Sequence, residues 1–140
     1  TLLGAVITNT HFENSHNATC IPLRLGGYAN AELDDPYGGA CIGVAIIGCN
    51  FNAERAPYCI DLDSIGANRG ITVQSCRLAG QAGEYTIAGI NAKKASNCMF
   101  TANVLFPHAG FLHVKTTGDG YYPSNLFIQD EESCGVQYLT

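Results

Sequence analysis

Three stretches decide the fold: Val44-Ala-Ile-Ile-Gly-Cys-Asn-Phe51, Ile71-Thr-Val-Gln-Ser-Cys-Arg-Leu78 and Cys98-Met-Phe-Thr-Ala-Asn-Val-Leu105. Their closing apolar residues, Phe51, Leu78 and Leu105, recur every 27 residues, and Ala5-Val-Ile-Thr-Asn-Thr-His-Phe12 fits the same slot after a spacing of 39. The longer first step reads as one unit carrying an inserted loop. A period of about 20–50 residues marks stacked units that bury their apolar faces only against their neighbours.

A second set of apolar strands follows similar arithmetic. Ile21-Pro-Leu-Arg-Leu25, Ile60-Asp-Leu-Asp63, Ile87-Ala-Gly-Ile90 and Leu112-His-Val-Lys115 start 39, 27 and 25 residues apart. Between the sets, Asn68, Asn97 and Asn125 each precede an apolar strand. Asn tolerates left-handed backbone and bonds its own loop, so one Asn per turn is expected to stack into a hydrogen-bonded ladder.

These apolar-x-apolar strands, the Asn series and the slot of Phe12, Phe51, Leu78 and Leu105 resemble the right-handed parallel β-helix of pectate-lyase-like proteins and bacteriophage tailspikes, over nearly the whole chain. The resemblance implies an all-β solenoid of about five turns with a period of about 27 residues. It says little about activity, because the same solenoid hosts lyases, hydrolases and pure binding proteins. Composition agrees with stacked strands: 16 Gly, 46% hydrophobic and only 14% charged residues argue against a helical solenoid.

One domain spanning 1–140 is expected, with an inserted loop at 26–41. About five turns at roughly 4.8 Å each would stand only about 25 Å tall, shorter than the free-standing enzymes the resemblance brings to mind. The opening Thr1-Leu-Leu-Gly-Ala-Val-Ile runs straight into strand-like sequence. The chain therefore reads as part of a longer one, or as a module whose open ends a partner covers. No apolar run approaches the ~20 residues of a membrane span. A net charge of −5, with Lys93-Lys94 the only adjacent basic pair, argues against a nucleic-acid partner.

Seven cysteines invite a disulfide reading. Cys49 and Cys76 are one period apart, and Cys20 and Cys59 occupy equivalent positions across the insertion. Stacked neighbours fall within the ~4.4–6.8 Å Cα range of disulfides, yet their side chains lie alongside rather than toward one another. Free thiols packed as small hydrophobes are the expected state, and without a Cys-x-x-Cys pair the usual zinc and redox spacings are missing. Assembly in a reducing host cytoplasm, as the phage resemblance implies, suits such thiols.

Two places could carry chemistry. If Ile60, Leu62, Leu112 and Val114 face the core, alternation turns Asp61, Asp63, His113, Lys115 and Arg24 outward onto one sheet, with Arg24 beside Asp63. That group resembles, in residue type only, the face where pectate-lyase-like enzymes hold calcium with carboxylates and abstract a proton with Arg or Lys; two carboxylates could equally act as a glycosidase acid and base. An ordinary cross-strand ion pair, worth a few tenths of a kcal/mol, is the plainer account. The second place is the loop Gly26–Gly39, whose Tyr28 and Tyr37 could stack on sugar rings. Its Glu32, Asp34 and Asp35 could bond sugar hydroxyls or calcium, or form a simple acidic turn.

His11, His16, His108 and His113 show no metal-ligand spacing, so no metal or other cofactor is expected beyond that calcium option. No Gly-x-Ser-x-Gly elbow or phosphate-cradling loop is present. The expectation is a tailspike-like virion module of a phage tail, self-associating as a homotrimer and contacting bacterial surface polysaccharide, with or without depolymerase activity. The alternative is a secreted pectate-lyase-like polysaccharide lyase or glycoside hydrolase.

Overall fold

In the computed structural model the described residues are 2–14, 20–26, 39–63, 68–80, 86–93, 95–106, 112–116 and 127–128. The strands come in successive quartets. The first is β1 (Leu2–Leu3), β2 (Val6–Thr8), β3 (His11–Glu13) and β4 (Leu23–Arg24). The second is β5 (Cys41–Ile42), β6 (Ala45–Ile47), β7 (Asn50–Asn52) and β8 (Tyr58–Asp61), and the third β9 (Asn68–Arg69), β10 (Thr72–Gln74), β11 (Arg77–Ala79) and β12 (Ala88–Asn91). Then follow β13 (Ala95–Ser96), β14 (Met99–Thr101), β15 (Val104–Phe106), β16 (Leu112–Lys115) and finally β17 (Phe127–Ile128).

Corresponding strands of successive quartets pair in parallel, which makes four stacked sheets. Sheet I has the order β1-β5-β9-β13, sheet II β17-β14-β10-β6-β2, sheet III β15-β11-β7-β3 and sheet IV β16-β12-β8-β4. The chain is therefore an all-β parallel solenoid, and no helix occurs among the described residues. Register follows the apolar slots: Ile7, Ile46, Val73 and Phe100 lie in line in sheet II, and Phe12, Phe51, Leu78 and Leu105 in sheet III. The Phe12 and Phe51 rings stack nearly parallel with centroids 4.7 Å apart, so the first two rungs meet here through flat apolar faces.

The corners between sheets explain the short strands. Gly4, Gly43, Gly70 and Asn97 turn the chain between sheets I and II with positive φ, and Asn9, Gly48, Ser75 and Ala102 do the same between sheets II and III. A left-handed residue reverses the outward drift of an extended strand within one position, and Gly or Asn adopts it at least cost.

Two expectations are corrected here. Asn68 and Asn97 do not share a ladder: Asn68 lies opposite Ala95, and Asn97 is an exposed left-handed corner in line with the glycines. Of the two, Asn68 is the buried bracket, accepting from Cys41 N at 2.8 Å and donating to Leu25 O at 3.0 Å and Leu62 O at 2.8 Å. Asn125 lies outside the described residues. The second strand set is also shifted, because Leu23, Ile60, Ile90 and Val114 are the mutual partners in sheet IV. The link from sheet III to sheet IV varies in length between rungs, so a constant period fails there. Ile90 is fully buried, whereas Ile47 is exposed.

The six described cysteines are unpaired, five of them buried. Cys20 is two positions out of register with Cys59, since Leu23 rather than Ile21 meets Ile60. The buried thiols donate to backbone carbonyls, among them Cys59 Sγ to Ala79 O at 3.3 Å and Cys76 Sγ to Gln74 O at 3.3 Å. Burial pushes the Cys59 thiol up to about 12, which keeps it protonated and unreactive.

Candidate functional site

The outer side of sheet IV gathers most of the charged residues singled out from the sequence, in an arrangement different from the one alternation implies. Arg24, Asp61, Asn91 and Lys115 are successive register partners on β4, β8, β12 and β16. Arg24 thus meets Asp61 and not Asp63, with Nε 3.6 Å from Asp61 Oδ2. Asp63, just past β8, pairs instead with Lys93 Nζ at 3.6 Å. Lys115 stands two rungs from Asp61, across Asn91.

Asp61 is only 6% exposed. Its Oδ1 accepts from Asn91 Nδ2 at 3.0 Å and from the Asp63 amide at 3.0 Å. The second bond closes an Asx turn that ends the strand and folds the two carboxylates away from a straight array. Burial raises the Asp61 carboxyl above the ordinary carboxylate range, and the Asp63 amide, Arg24 and Asn91 offset that only in part. The half-buried Tyr58 phenol is raised as well, first by burial and then by the negative charges of Asp61 and Asp63, with Lys93 opposing. Tyr58, Asp61, Asp63 and Lys93 therefore share one electrostatic environment.

His113 does not belong to this face. It is 1% exposed and turned into the solenoid, where its Nε2 lies 3.1 Å from Asn103 Nδ2. The preceding rung shows why simple alternation fails: a Cβ on Gly89 would sit 2.7 Å from Leu78 Cδ1 and 3.2 Å from His113 O. The Gly89 and His113 positions crowd toward sheet III while Ile90 and Val114 beside them are buried too. Burial lowers the His113 imidazole to about 4, so it is neutral near pH 7.

Sequence reasoning missed Tyr58, Asn91 and Lys93. Asn91 lies 30 residues beyond the Asp61 it bonds, so an assumed spacing of 27 hid it. The other candidate site, with Tyr28, Glu32, Asp34, Asp35 and Tyr37, lies outside the described residues. Among the described residues no three His, Cys, Asp or Glu side chains come together to hold a metal ion.

Chemically, the sheet IV face is a compact row of alternating donors and acceptors: guanidinium, carboxylate, carboxamide and ammonium, with a phenol and a second ion pair at its side. The chain matches no protein-family profile, no curated protein and no solved structure.

Proposed function

We propose that this solenoid contacts polysaccharide through the outer face of sheet IV, as a tailspike-like module of a phage tail. On this reading it is a right-handed parallel β-helix of about five turns, made in the host cytoplasm and assembled as a homotrimer on the virion. The observation that carries the proposal is the row Arg24, Asp61, Asn91 and Lys115, one residue per rung. Strand spacing of about 4.8 Å sets a regular ladder of polar groups along the solenoid, which suits the repeating hydroxyls of an extended glycan.

Binding is preferred to cleavage because both carboxylates are held in ion pairs and no catalytic motif accompanies them. One observation favours the second reading, a secreted lyase or glycoside hydrolase: the raised Asp61 carboxyl has the character of a general acid. A bacterial-polysaccharide panel, read both for binding and for release of reducing or unsaturated ends, tests the two together. Binding without release supports the adhesion module, release supports the enzyme, and no response to any glycan overturns both.

A further inference from the structure

Burial decides which members of the sheet IV row a ligand can meet. Asp61 and Asn91, the two middle members, are each only 6% exposed. The Arg24 side chain is 46% exposed, against 8% for the carboxylate it pairs with. At the far end Lys115 is partly exposed and has no ion-pair partner among the described residues. The row therefore shows solvent its cations and keeps its carboxylate beneath them.

The second ion pair does not reverse this balance. Lys93 and Asp63 are covered to a similar degree, so their charges offset one another. Arg24, Lys93 and Lys115 outnumber Asp61 and Asp63 by one, on a chain whose net charge is −5. Three steps of parallel pairing separate Arg24 from Lys115, about 14 Å at roughly 4.8 Å per rung. That span exceeds the Debye length of ~8 Å at physiological ionic strength, so the two cations act as separate anchors. A ligand that reaches both is an oligomer and not a single sugar.

We infer that the polysaccharide contacted by sheet IV is anionic, with acidic substituents seated on Arg24 and Lys115. The inference rests on the polysaccharide reading given above and names the class of glycan. Guanidinium and ammonium each form charge-assisted hydrogen bonds with a carboxylate. A neutral glycan would strip water from the same two cations without neutralising either. The contact from Arg24 Nε to Asp61 Oδ2 at 3.6 Å also holds the guanidinium in place before a ligand arrives, which lowers the ordering cost of binding. A nucleic acid fits less well, because a phosphate at every nucleotide meets the repulsion of a chain at −5.

The test sorts the polysaccharide panel by charge. Alginate, hyaluronan and polysialic acid form the acidic set, and dextran, levan and mannan the neutral one. Each acidic glycan is also supplied with its carboxylates reduced to alcohols, which keeps the backbone and removes the charge. The expected result is binding confined to the acidic set, weakened at least about tenfold by carboxyl reduction and several-fold between about 0.05 and 0.5 M salt. Lys115→Glu should abolish it and Lys115→Arg should retain it, both at unchanged melting temperature. Equal binding of neutral or carboxyl-reduced glycans overturns the inference and leaves the polysaccharide reading standing. Unchanged affinity in Lys115→Glu also overturns it, as does equal binding of poly-L-glutamate or single-stranded DNA, which would make the face a general polyanion surface. No binding to either set removes the polysaccharide reading itself, and the inference with it.

Discussion

Asn103 Nδ2 lies 3.1 Å from His113 Nε2 in the closed interior of the solenoid. The orientation of this amide is fixed from two other sides, because its Oδ1 accepts from Cys76 N at 2.9 Å and its Nδ2 donates to Val73 O at 3.1 Å. An amide nitrogen only donates, so Nε2 of His113 must accept, and the neutral ring carries its proton on Nδ1. Protonation would set two donors against each other.

Acid destabilisation through His113 follows. Its imidazole titrates near 6.5 when unfolded and at about 4 when folded, so the unfolded chain binds the proton more readily. Stability is fully present above pH 6.5 and is lost as pH falls toward 4, by on the order of 3 kcal/mol. Asp61 acts in the opposite sense, since its raised carboxyl penalises the folded state as pH rises. Melting temperature measured from pH 7 to pH 4 should fall, and His113→Gln should flatten that dependence. An equally steep fall in the variant would remove His113 as the cause.

Asn68→Ala should be far more damaging than Asn97→Ala. The first strips an amide that satisfies the Cys41 N–H and the Leu25 and Leu62 carbonyls inside the solenoid, at a cost of about 2–4 kcal/mol. The second replaces an exposed residue at φ 53, where the left-handed backbone adds about 1 kcal/mol. Asn97→Gly, which relieves that strain, should melt within a degree or two of the parent. Denaturant midpoints for the three variants check the order, and equal losses at both Asn positions would contradict it.

Gly89→Ala tests the crowding between sheets IV and III. The added methyl would lie 2.7 Å from Leu78 Cδ1 and 3.2 Å from the His113 carbonyl, and Leu78 itself is fully buried. Overpacking of this kind costs about 1–3 kcal/mol. Leu78→Ala in the same chain should recover part of the loss, which a double-mutant cycle by chemical denaturation would detect.

How far the chain could be read from its sequence differs from sheet to sheet. In sheets I to III the links are short and constant, so Phe51, Leu78 and Leu105 at spacing 27 point directly at a shared slot. Sheet IV follows a link of variable length, and there the assumption of constant spacing misplaced Ile87, Arg24 and Asn91 together. His113 was misread because alternation holds only where one sheet face is wet, and on β16 the adjacent His113 and Val114 are both buried. The left-handed corners follow residue type at Gly43, Gly70 and Asn97, whereas Ser75 and Ala102 hold the same conformation with no residue-type signal to mark it.

Polysaccharide contact through sheet IV can be separated from simple structural support by choosing the right end of the row. Asp61 is buried and bonded to Asn91 and the Asp63 amide, so Asp61→Ala leaves donors unmatched and should lower stability by about 1–3 kcal/mol. Any loss of glycan binding in that variant is ambiguous. Arg24 is exposed, and Lys115 stands at the other end of the row with only part of its surface covered. Lys115→Ala should leave the melting temperature within about 2 °C of the parent, whereas Arg24→Ala also removes the cation paired with the buried Asp61 carboxylate and should lower it further. Each should weaken polysaccharide binding by roughly 5–30-fold, the effect of removing one charged hydrogen-bond donor from a bound ligand. Titration calorimetry against whichever glycan the panel selects provides the measurement. Unchanged affinity in both variants would take the ligand off sheet IV, and Tyr28→Ala with Tyr37→Ala would then test the 26–41 loop in its place.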